Sequence, residues 1–272
     1  LGRGSLSSDN ASSLPHGFIG LFEKEFSSDI PISQRSSTLR RLCLWALLKK
    51  AVSSEFVSEV LKENTDSTKA LIDTYSKWFN SPEPGKYVLF HDRLRSYLIQ
   101  KLSDHEVQEI NEQLIAYLEQ SLESSIGEES ELYALEHLST HMAVESQLEN
   151  NYDRLHAFVN REDLWPRQVR ASKEYKWSQK GVQYGIMEAS RRQNNKKLKI
   201  VARNSINLQK DEESNYKEIL NLIENDELDL CLKRTFNWKG EKKCKLCLLI
   251  LTETLFGKFK YKNIENEFFI EI

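Results

Sequence analysis

Several kinds of residue are scarce in this chain, and each scarcity argues against a class of protein. Only four cysteines, five prolines and ten glycines occur among its 272 residues. Four scattered cysteines cannot supply a disulfide framework, so a reducing compartment is the expected setting. Because glycine and proline are few and long stretches repeat apolar residues at helical spacing, the sequence predicts a mainly α-helical fold rather than a loop-rich β fold.

An excess of either charge is absent as well, and so are long apolar runs. The formal net charge is -3 and the isoelectric point about 6.2, so no overall field attracts the chain to nucleic acid or to an anionic membrane. The longest apolar runs, residues 42–48 and 246–251, are far shorter than the ~20 residues that span a bilayer. The first residues show no basic stretch followed by an apolar one, so secretion is not indicated. We expect a cytoplasmic protein with no membrane partner.

Residues 14–102 show the pattern of a winged-helix unit, a variant of helix-turn-helix. A flexible lead-in (residues 1–13) precedes a helix that Leu14-Pro15 opens and Pro31 ends. Three helices follow, predicted at about 36–51, 53–61 and 66–79. After them come a turn at 81–85, a β-rich run at 86–90 and a further helix at 92–102. The expected caps of the three helices are Ser36-Ser37, Ser53-Ser54 and Asp66-Ser67.

Winged-helix units often bind DNA through their third helix, which here would span residues 67–79. That segment offers only Lys69 and Lys77 as cations, opposed by Asp73, and its face is aromatic. It lacks the arginine and amide side chains that recognise base edges. DNA binding is therefore the least favoured function, and no nucleic-acid partner is expected.

A His-Asp pair, His91-Asp92, lies where the β-rich run ends and the next helix begins. The first turn of a helix presents unsatisfied backbone N–H groups and partial positive charge, so a histidine there can help to bind an anion such as a phosphate. A purely structural interpretation stays open beside this one. In it, His91 closes the strand and Asp92 caps the helix.

Residues 14–22 (Leu-Pro-His-Gly-Phe-Ile-Gly-Leu-Phe), the winged-helix pattern and Phe90-His91-Asp92 together resemble a segment of STAND-type signalling NTPases, which include the NACHT and NB-ARC families. In these families a Leu-Pro segment leads into the winged helix, and a Met-His-Asp-type motif lies at its strand-to-helix junction. The resemblance implies that His91 contacts the β-phosphate of bound ADP and that Asp92 supports the turn. It gives Phe90 and Pro15 supporting positions.

The chain departs from this family pattern in visible ways. Phe90 replaces the usual methionine, and Phe18 and Phe22 stand where leucine and tyrosine are commoner. The sequence contains no G-x-x-x-x-G-K-[ST] phosphate loop and no apolar strand ending in the acidic pair that holds Mg²⁺. We therefore expect no enzymatic activity of this chain alone. The resemblance implies an ATPase core upstream of Leu1, with ADP or ATP and Mg²⁺ as cofactors of a larger parent protein.

The middle of the chain offers one candidate metal site. Ser103 and Glu106 form a capping box that opens a helix to about residue 122. The next predicted helix, residues 131–142, places His137 and His141 four residues apart, a spacing that can hold zinc. The H-E-x-x-H order of metalloproteases is absent and no third ligand lies nearby in the sequence. We therefore expect no metal there, and two histidines on a helix beside an apolar stripe.

The C-terminal half is predicted to be helical with few landmarks. Trp165-Pro166 is expected to break one helix, and another helix is predicted at 167–190. The basic cluster at 191–199 is expected to be a solvated helix end or loop rather than a site for an acidic partner. Further helical pieces are predicted at 198–208, 215–223, 228–236 and 243–256. Paired helices with short joints suggest a tetratricopeptide-like α-solenoid. Cys244 and Cys247 are expected to be packing thiols, since no second pair completes a zinc site.

These observations combine into one expected organisation. A lead-in (1–13) is followed by a winged-helix domain (14–102), a helical bundle extension (103–160) and a helical repeat-like region (161–272). We expect a regulatory fragment that senses ADP or ATP and couples it to a helical sensor region. Its partners would be the upstream ATPase core and a protein bound through the helices, with oligomers possible on activation. The alternative is a helical-repeat interaction scaffold with no nucleotide role.

Overall fold

The computed structural model describes residues 30–124, 127–148 and 153–224, preceded by Gly20, residues 22–24 and Phe26. This part of the chain is mainly helical with one small three-stranded sheet, which confirms the predicted fold class at that level. It forms two compact units whose boundary falls between Ala134 and Leu135, inside one helix. None of the described helices combines the length and the apolarity that crossing a membrane requires.

The first unit alternates helices with short strands. Its elements are α1 (Arg35–Leu47), β1 (Val52–Ser53), α2 (Ser54–Leu61), α3 (Thr65–Thr74), β2 (Phe79–Glu83), β3 (Lys86–Leu89), α4 (Asp92–Gln100) and α5 (Asp104–Ser124). Helix α6 (Glu128–Leu148) begins in this unit and carries the boundary. The second unit continues with α7 (Asp153–Val159), α8 (Leu164–Ser172), α9 (Lys176–Arg191) and α10 (Asn195–Glu224).

The sheet is antiparallel and has the strand order β1-β3-β2. Val52 pairs with Tyr87, and Phe79 pairs with Leu89, so β3 lies between the other two strands. Strands β2 and β3 are joined through Gly85, whose φ of 76° lies in the left-handed region that glycine adopts without strain. The hairpin directs the chain back to the start of α4.

Helix α1 supplies the centre of the first unit. Its residues from Leu42 to Leu47 are all buried, and the helix packs against α4 and α5. Trp45 meets the ring of Phe79 edge-on, with 5.2 Å between ring centroids. Burial raises the pKa of the Cys43 thiol to about 12, so the thiol stays protonated and packs as a small apolar group. The predicted central position of this helix is confirmed.

Two predicted helix starts are confirmed by their caps. Ser53 precedes α2, and its hydroxyl accepts the backbone N–H of Phe56 at 3.1 Å. Ser103 and Glu106 form a reciprocal capping box before α5. The Ser103 N–H donates to the Glu106 carboxylate at 2.9 Å, and the Glu106 N–H donates to the Ser103 hydroxyl at 3.3 Å.

The bounds of the first and third helices were predicted wrongly. Helix α1 starts at Arg35 and ends at Leu47, and Ser37 donates its hydroxyl to the Gln34 carbonyl instead of capping a helix. Helix α3 is capped by Asn64, which accepts the N–H of Asp66 at 2.9 Å. It ends at Thr74, because the chain then turns so that Phe79 can pair with Leu89 in the sheet. Cross-strand pairing outweighs the helical spacing of the aromatic side chains.

The second unit corrects three further predictions. Trp165 and Pro166 do not break a helix but lie in the first turn of α8. Backbone N–H groups in a first turn have no acceptor within the helix, so a proline there removes no helical hydrogen bond. The single helix predicted at 167–190 is divided by Lys173, whose φ of 60° ends α8. Two pieces predicted between 198 and 223 form one continuous helix, α10. The basic cluster covers the last residue of α9, the short turn at 192–194 and the first residues of α10, so it lies at helix ends as predicted.

Several predictions concern residues outside the described part of the chain. These are the lead-in at 1–13, the helix start at Leu14-Pro15, the helical pieces at 228–236 and 243–256, and the pair Cys244 and Cys247. The predicted domain limits at 102 and 160 stay predictions.

Glycine permits close helix packing in the second unit. A Cβ added at Gly185 would lie 3.0 Å from Val159 of α7 and 3.1 Å from Val201 of α10. Both valines are buried, and valine has little freedom at χ1. A Cβ at Gly181, one turn earlier in α9, would lie 3.5 Å from Ser139, which is an ordinary contact. Only Gly185 is therefore required by the packing.

Gly185→Ala is expected to destabilise the protein, whereas Gly181→Ala is expected to be neutral or stabilising. Overpacking costs about 1–3 kcal/mol, which exceeds the ~1 kcal/mol that alanine gains over glycine in a helix. Urea unfolding of the two variants measures the difference. Equal free energies of unfolding for the two variants would show that the valines yield freely and that the close approach does not require glycine.

Candidate functional site

His91 is the N-cap of α4. Its backbone is extended, and its carbonyl oxygen accepts the N–H groups of Leu94 at 3.0 Å and Arg95 at 3.2 Å. Its ring nitrogen Nδ1 accepts the N–H of Arg93 at 3.0 Å. The cap is thus supplied by His91, and not by Asp92 as the structural interpretation assumed. The β-rich run and the helix meet at this residue, as predicted.

The capping bond fixes the chemistry of the His91 ring. A nitrogen that accepts a hydrogen bond carries no hydrogen, so the neutral ring holds its hydrogen on Nε2. The residue is exposed, and it stands at the N-terminal end of α4, where backbone N–H groups and the helix dipole favour negative charge. In this tautomer the ring is an N–H donor suited to an anionic oxygen.

Asp92 has a weaker part in the junction than the resemblance implies. It is the first residue of α4, and its side chain is 98% exposed. The carboxylate lies 3.8 Å from the Nε atom of Arg95, which is too far for a hydrogen bond. At this exposure, such a pair stabilises the turn by no more than a few tenths of a kcal/mol, roughly.

Arg95 is a functional candidate that the sequence did not reveal. Its side chain is 19% exposed, and its Nη1 atom donates to the carbonyl oxygen of Leu48 at 2.8 Å. Leu48 follows α1 directly, so Arg95 joins the helix that His91 caps to the end of the central helix. The only signal in the sequence was an arginine four residues after the histidine, and that position alone does not indicate a tertiary contact.

An aromatic cluster of Phe22, Phe90 and Tyr97 packs beside the junction. Phe90 is 40% exposed, its N–H donates to the Trp78 carbonyl at 3.0 Å, and its ring meets Phe22 edge-on at 6.4 Å. Phe22 also lies 5.7 Å from the ring of Tyr97 in α4. Burial raises the pKa of the Tyr97 hydroxyl.

The cluster thus brings together two of the sequence segments on which the family resemblance was based. Phe22 belongs to the segment 14–22, and Phe90 belongs to the Phe-His-Asp triplet. Pro15, which was predicted to have a supporting position, lies outside the described residues.

The end of α1 also contacts α6. The backbone N–H of Lys49 donates to the hydroxyl of Tyr133 at 2.9 Å, and Tyr133 is fully buried. Ser53 donates from its N–H at 3.1 Å and from its hydroxyl at 2.6 Å to the carboxylate of Glu129. The short segment from Leu48 to Ser53 is therefore held by α4 on one side and by the first turns of α6 on the other.

The two histidines predicted on one helix are both buried. His137 is 8% and His141 is 1% exposed, and the Nε2 atom of His137 lies 3.4 Å from a Glu136 oxygen. Within the ranges that the structure describes, no three histidine, cysteine, aspartate or glutamate side chains are grouped to hold a metal ion. Both histidines lie on one helix, as predicted, and the structure adds that both are buried.

No protein-family model matches the chain, and neither a curated protein nor a solved structure does. The chemistry open to the junction follows from its own geometry. The exposed His91 stands at the positive N-terminal end of α4, whereas the Arg95 guanidinium one helical turn later donates to the Leu48 carbonyl. This arrangement suits an anion better than a metal ion or a cation.

His91→Ala is expected to destabilise the protein by about 0.5–2 kcal/mol, because the N–H of Arg93 loses its acceptor. His91→Asn is the matched control, since asparagine is among the best N-cap residues and can replace Nδ1 with its amide oxygen. Urea unfolding of both variants measures the effect. If His91→Asn loses as much stability as His91→Ala, the capping bond is not the source of the loss.

Proposed function

We propose that this chain is a regulatory part of a STAND-type NTPase and senses the bound nucleotide through His91. The observation that carries the proposal is the cap itself, in which Nδ1 accepts the Arg93 N–H at an exposed helix start, so that the hydrogen of the ring belongs on Nε2. The family resemblance identifies the anion as the β-phosphate of ADP, held by an ATPase core elsewhere in the parent protein. ADP or ATP with Mg²⁺ would be the cofactors of that core.

The topology of the first unit supports a winged-helix fold. Its elements follow the order α1-β1-α2-α3-β2-β3, and the sheet has the order β1-β3-β2. In a winged-helix fold the hairpin β2-β3 would form the wing. DNA binding remains the less favoured use of this fold. Lys69 of α3 pairs with Glu55 at 3.0 Å, and Asp66 and Asp73 lie on the same helix. Such a helix is poorly suited to phosphates and base edges.

The expected strength of the sensing contact is sufficient for a switch. A charge-assisted hydrogen bond contributes about 1.5–3 kcal/mol. If that bond forms only in the closed, ADP-bound state, it shifts a two-state equilibrium roughly ten- to hundred-fold. The bond need not bind ADP by itself, since the ATPase core supplies most of the affinity.

A continuous set of contacts supports coupling from His91 to the following helices. His91 caps α4, Arg95 of α4 holds the Leu48 carbonyl, and the next residue, Lys49, donates to Tyr133 of α6. A movement of α4 would therefore displace the backbone that positions the first turns of α6. We infer that nucleotide state is transmitted through this segment.

His91→Asp in the complete protein is expected to weaken ADP retention by at least about tenfold, and to raise the active fraction. Aspartate keeps the helix cap, but it removes the N–H donor and places a negative charge against the phosphate. Ser103→Ala is the matched control, because it removes a cap from α5 and leaves α4 unchanged. Calorimetric titration and nucleotide release measure ADP affinity. Unchanged ADP affinity in His91→Asp would exclude the mechanism.

Tyr133→Phe is expected to weaken the coupling without changing ADP affinity. The substitution keeps the buried ring and removes only the hydroxyl that accepts the Lys49 N–H. Hydrogen exchange of the helices after residue 134, with and without ADP, measures the transmitted change. An ADP-dependent difference as large as in the unmodified protein would contradict transmission through this contact.

A second candidate function is a helical interaction scaffold. It is favoured by exposed apolar side chains on the paired helices α9 and α10, namely Met187 at 63%, Ile206 at 55% and Ile200 at 40%. Such side chains are common where helical repeats bind proteins. The tetratricopeptide-like assignment of this region, its protein partner and an oligomer formed on activation belong to the proposal. A complete protein that binds no ADP at all would favour the scaffold over the nucleotide sensor.

A further inference from the structure

A cavity in the first unit lies apart from the His91 junction. Its volume is about 390 Å³, within the size range of small-ligand sites. The last turn of α2 forms one wall, with Glu59, Val60, Leu61 and then Lys62. One face of α5 forms the other, with residues at i, i+3, i+4 and i+7: Gln113, Ala116, Tyr117 and Gln120. Apolar side chains (Val60, Leu61 and Ala116) thus lie beside polar ones, and the cavity opens to solvent because most of its lining residues are exposed.

Glu59 distinguishes this cavity from the surrounding surface. Two nearby glutamates have a cation as partner, Glu55 with Lys69 at 3.0 Å and Glu63 with Arg41 at 2.8 Å. The Glu59 carboxylate instead accepts the neutral hydroxyl of Tyr117. Among the residues that the structure describes, no cation pairs with Glu59 at the wall of the cavity.

Tyr117 holds the Glu59 carboxylate in place. It is 9% exposed, its hydroxyl donates to Glu59, and the Ser130 hydroxyl lies beside it at 2.5 Å. Burial and the hydrogen bond to Glu59 raise the pKa of this tyrosine, so the hydroxyl remains a donor. An oriented carboxylate loses less rotational freedom on binding a ligand than a freely moving one.

The end of α2 adds to the negative potential. Lys62 adopts a left-handed conformation with a φ of 55° and stops the helix, so the carbonyl end of α2 is at the cavity wall. Helix C-termini carry partial negative charge and favour cations. Gln113 and Gln120 line the opposite wall, and an amide side chain can turn its carbonyl oxygen toward a donor.

We propose that this cavity binds a guanidinium group on an aliphatic stem, the chemistry of an arginine side chain. The guanidinium would pair with the Glu59 carboxylate and donate to a glutamine carbonyl, while the stem would lie against Val60 and Ala116. Lys62 is the one cation among the lining residues. Its exposed side chain is long and flexible enough to extend into water when a ligand enters. This site is independent of nucleotide sensing by His91.

The full chain can be titrated with N-acetyl-arginine amide and, separately, with free arginine. The side-chain amide signals of Gln113 and Gln120 are followed by NMR. We expect saturable shifts with a dissociation constant on the order of 1 mM, because a single polar anchor rarely gives more. Tighter binding of the capped compound would assign the site to a peptide side chain, and tighter binding of free arginine would assign it to a small molecule.

The matched ligand control is N-acetyl-citrulline amide, which has the same shape and no charge. The matched variants are Glu59→Gln, which still accepts the Tyr117 hydroxyl, and Glu162→Gln, which removes the same charge in the second unit. We expect Glu59→Gln to weaken binding at least tenfold and Glu162→Gln to leave it unchanged. Absence of saturable shifts, equal shifts with citrulline, or unchanged binding by Glu59→Gln would overturn the proposal.

Discussion

The buried end of α1 is the constraint on which the first unit depends. A helix leaves its last carbonyl groups without partners in the helix, and burying them unpaired would be costly. Here the backbone just after the buried run 42–47 is satisfied from two directions. Arg95 of α4 donates to the Leu48 carbonyl at 2.8 Å, and the Tyr133 hydroxyl of α6 accepts the Lys49 N–H at 2.9 Å. The same two bonds that satisfy the backbone just after α1 therefore connect it to α4 and to the start of α6.

This constraint explains why the junction at His91 could act beyond its own helix. An exposed cap ordinarily affects only local stability, typically by about 1 kcal/mol. The cap of α4, however, lies one helical turn from Arg95, and Arg95 holds the backbone next to the Tyr133 contact. In the proposed function, a phosphate at His91 biases the position of α4. These two partly buried contacts then carry that bias to α6, because breaking them would cost the Leu48 carbonyl and the Lys49 N–H a hydrogen bond.

The sequence predicted local features better than tertiary ones. The caps at Ser53 and at Ser103 with Glu106 depend on residues within a few positions of each other, so the pattern indicated them correctly. The contacts of Arg95 and Tyr133 join residues 47 and 84 positions apart, and no local pattern indicates them.

Wrong helix bounds have the same origin. Phe79 has helical spacing relative to its aromatic neighbours, but it belongs to β2 because Leu89 lies opposite it in the sheet. Pro166 was predicted to break a helix, whereas its position in the first turn of α8 makes it compatible with one. The sequence predicted that His91 lies at the strand-to-helix junction. It could not predict which ring nitrogen accepts the Arg93 N–H, because that depends on the orientation of the ring.

Nitrogen NMR of the His91 imidazole in the complete protein, with and without ADP, tests the central claim most directly. The account predicts that Nδ1 acts as the acceptor and Nε2 carries the hydrogen, with a clear change of the Nε2 signal when ADP binds. The Nδ1 signal should change little, since it continues to accept the Arg93 N–H. A ring with its hydrogen on Nδ1, or an Nε2 signal that does not respond to ADP, would contradict the account.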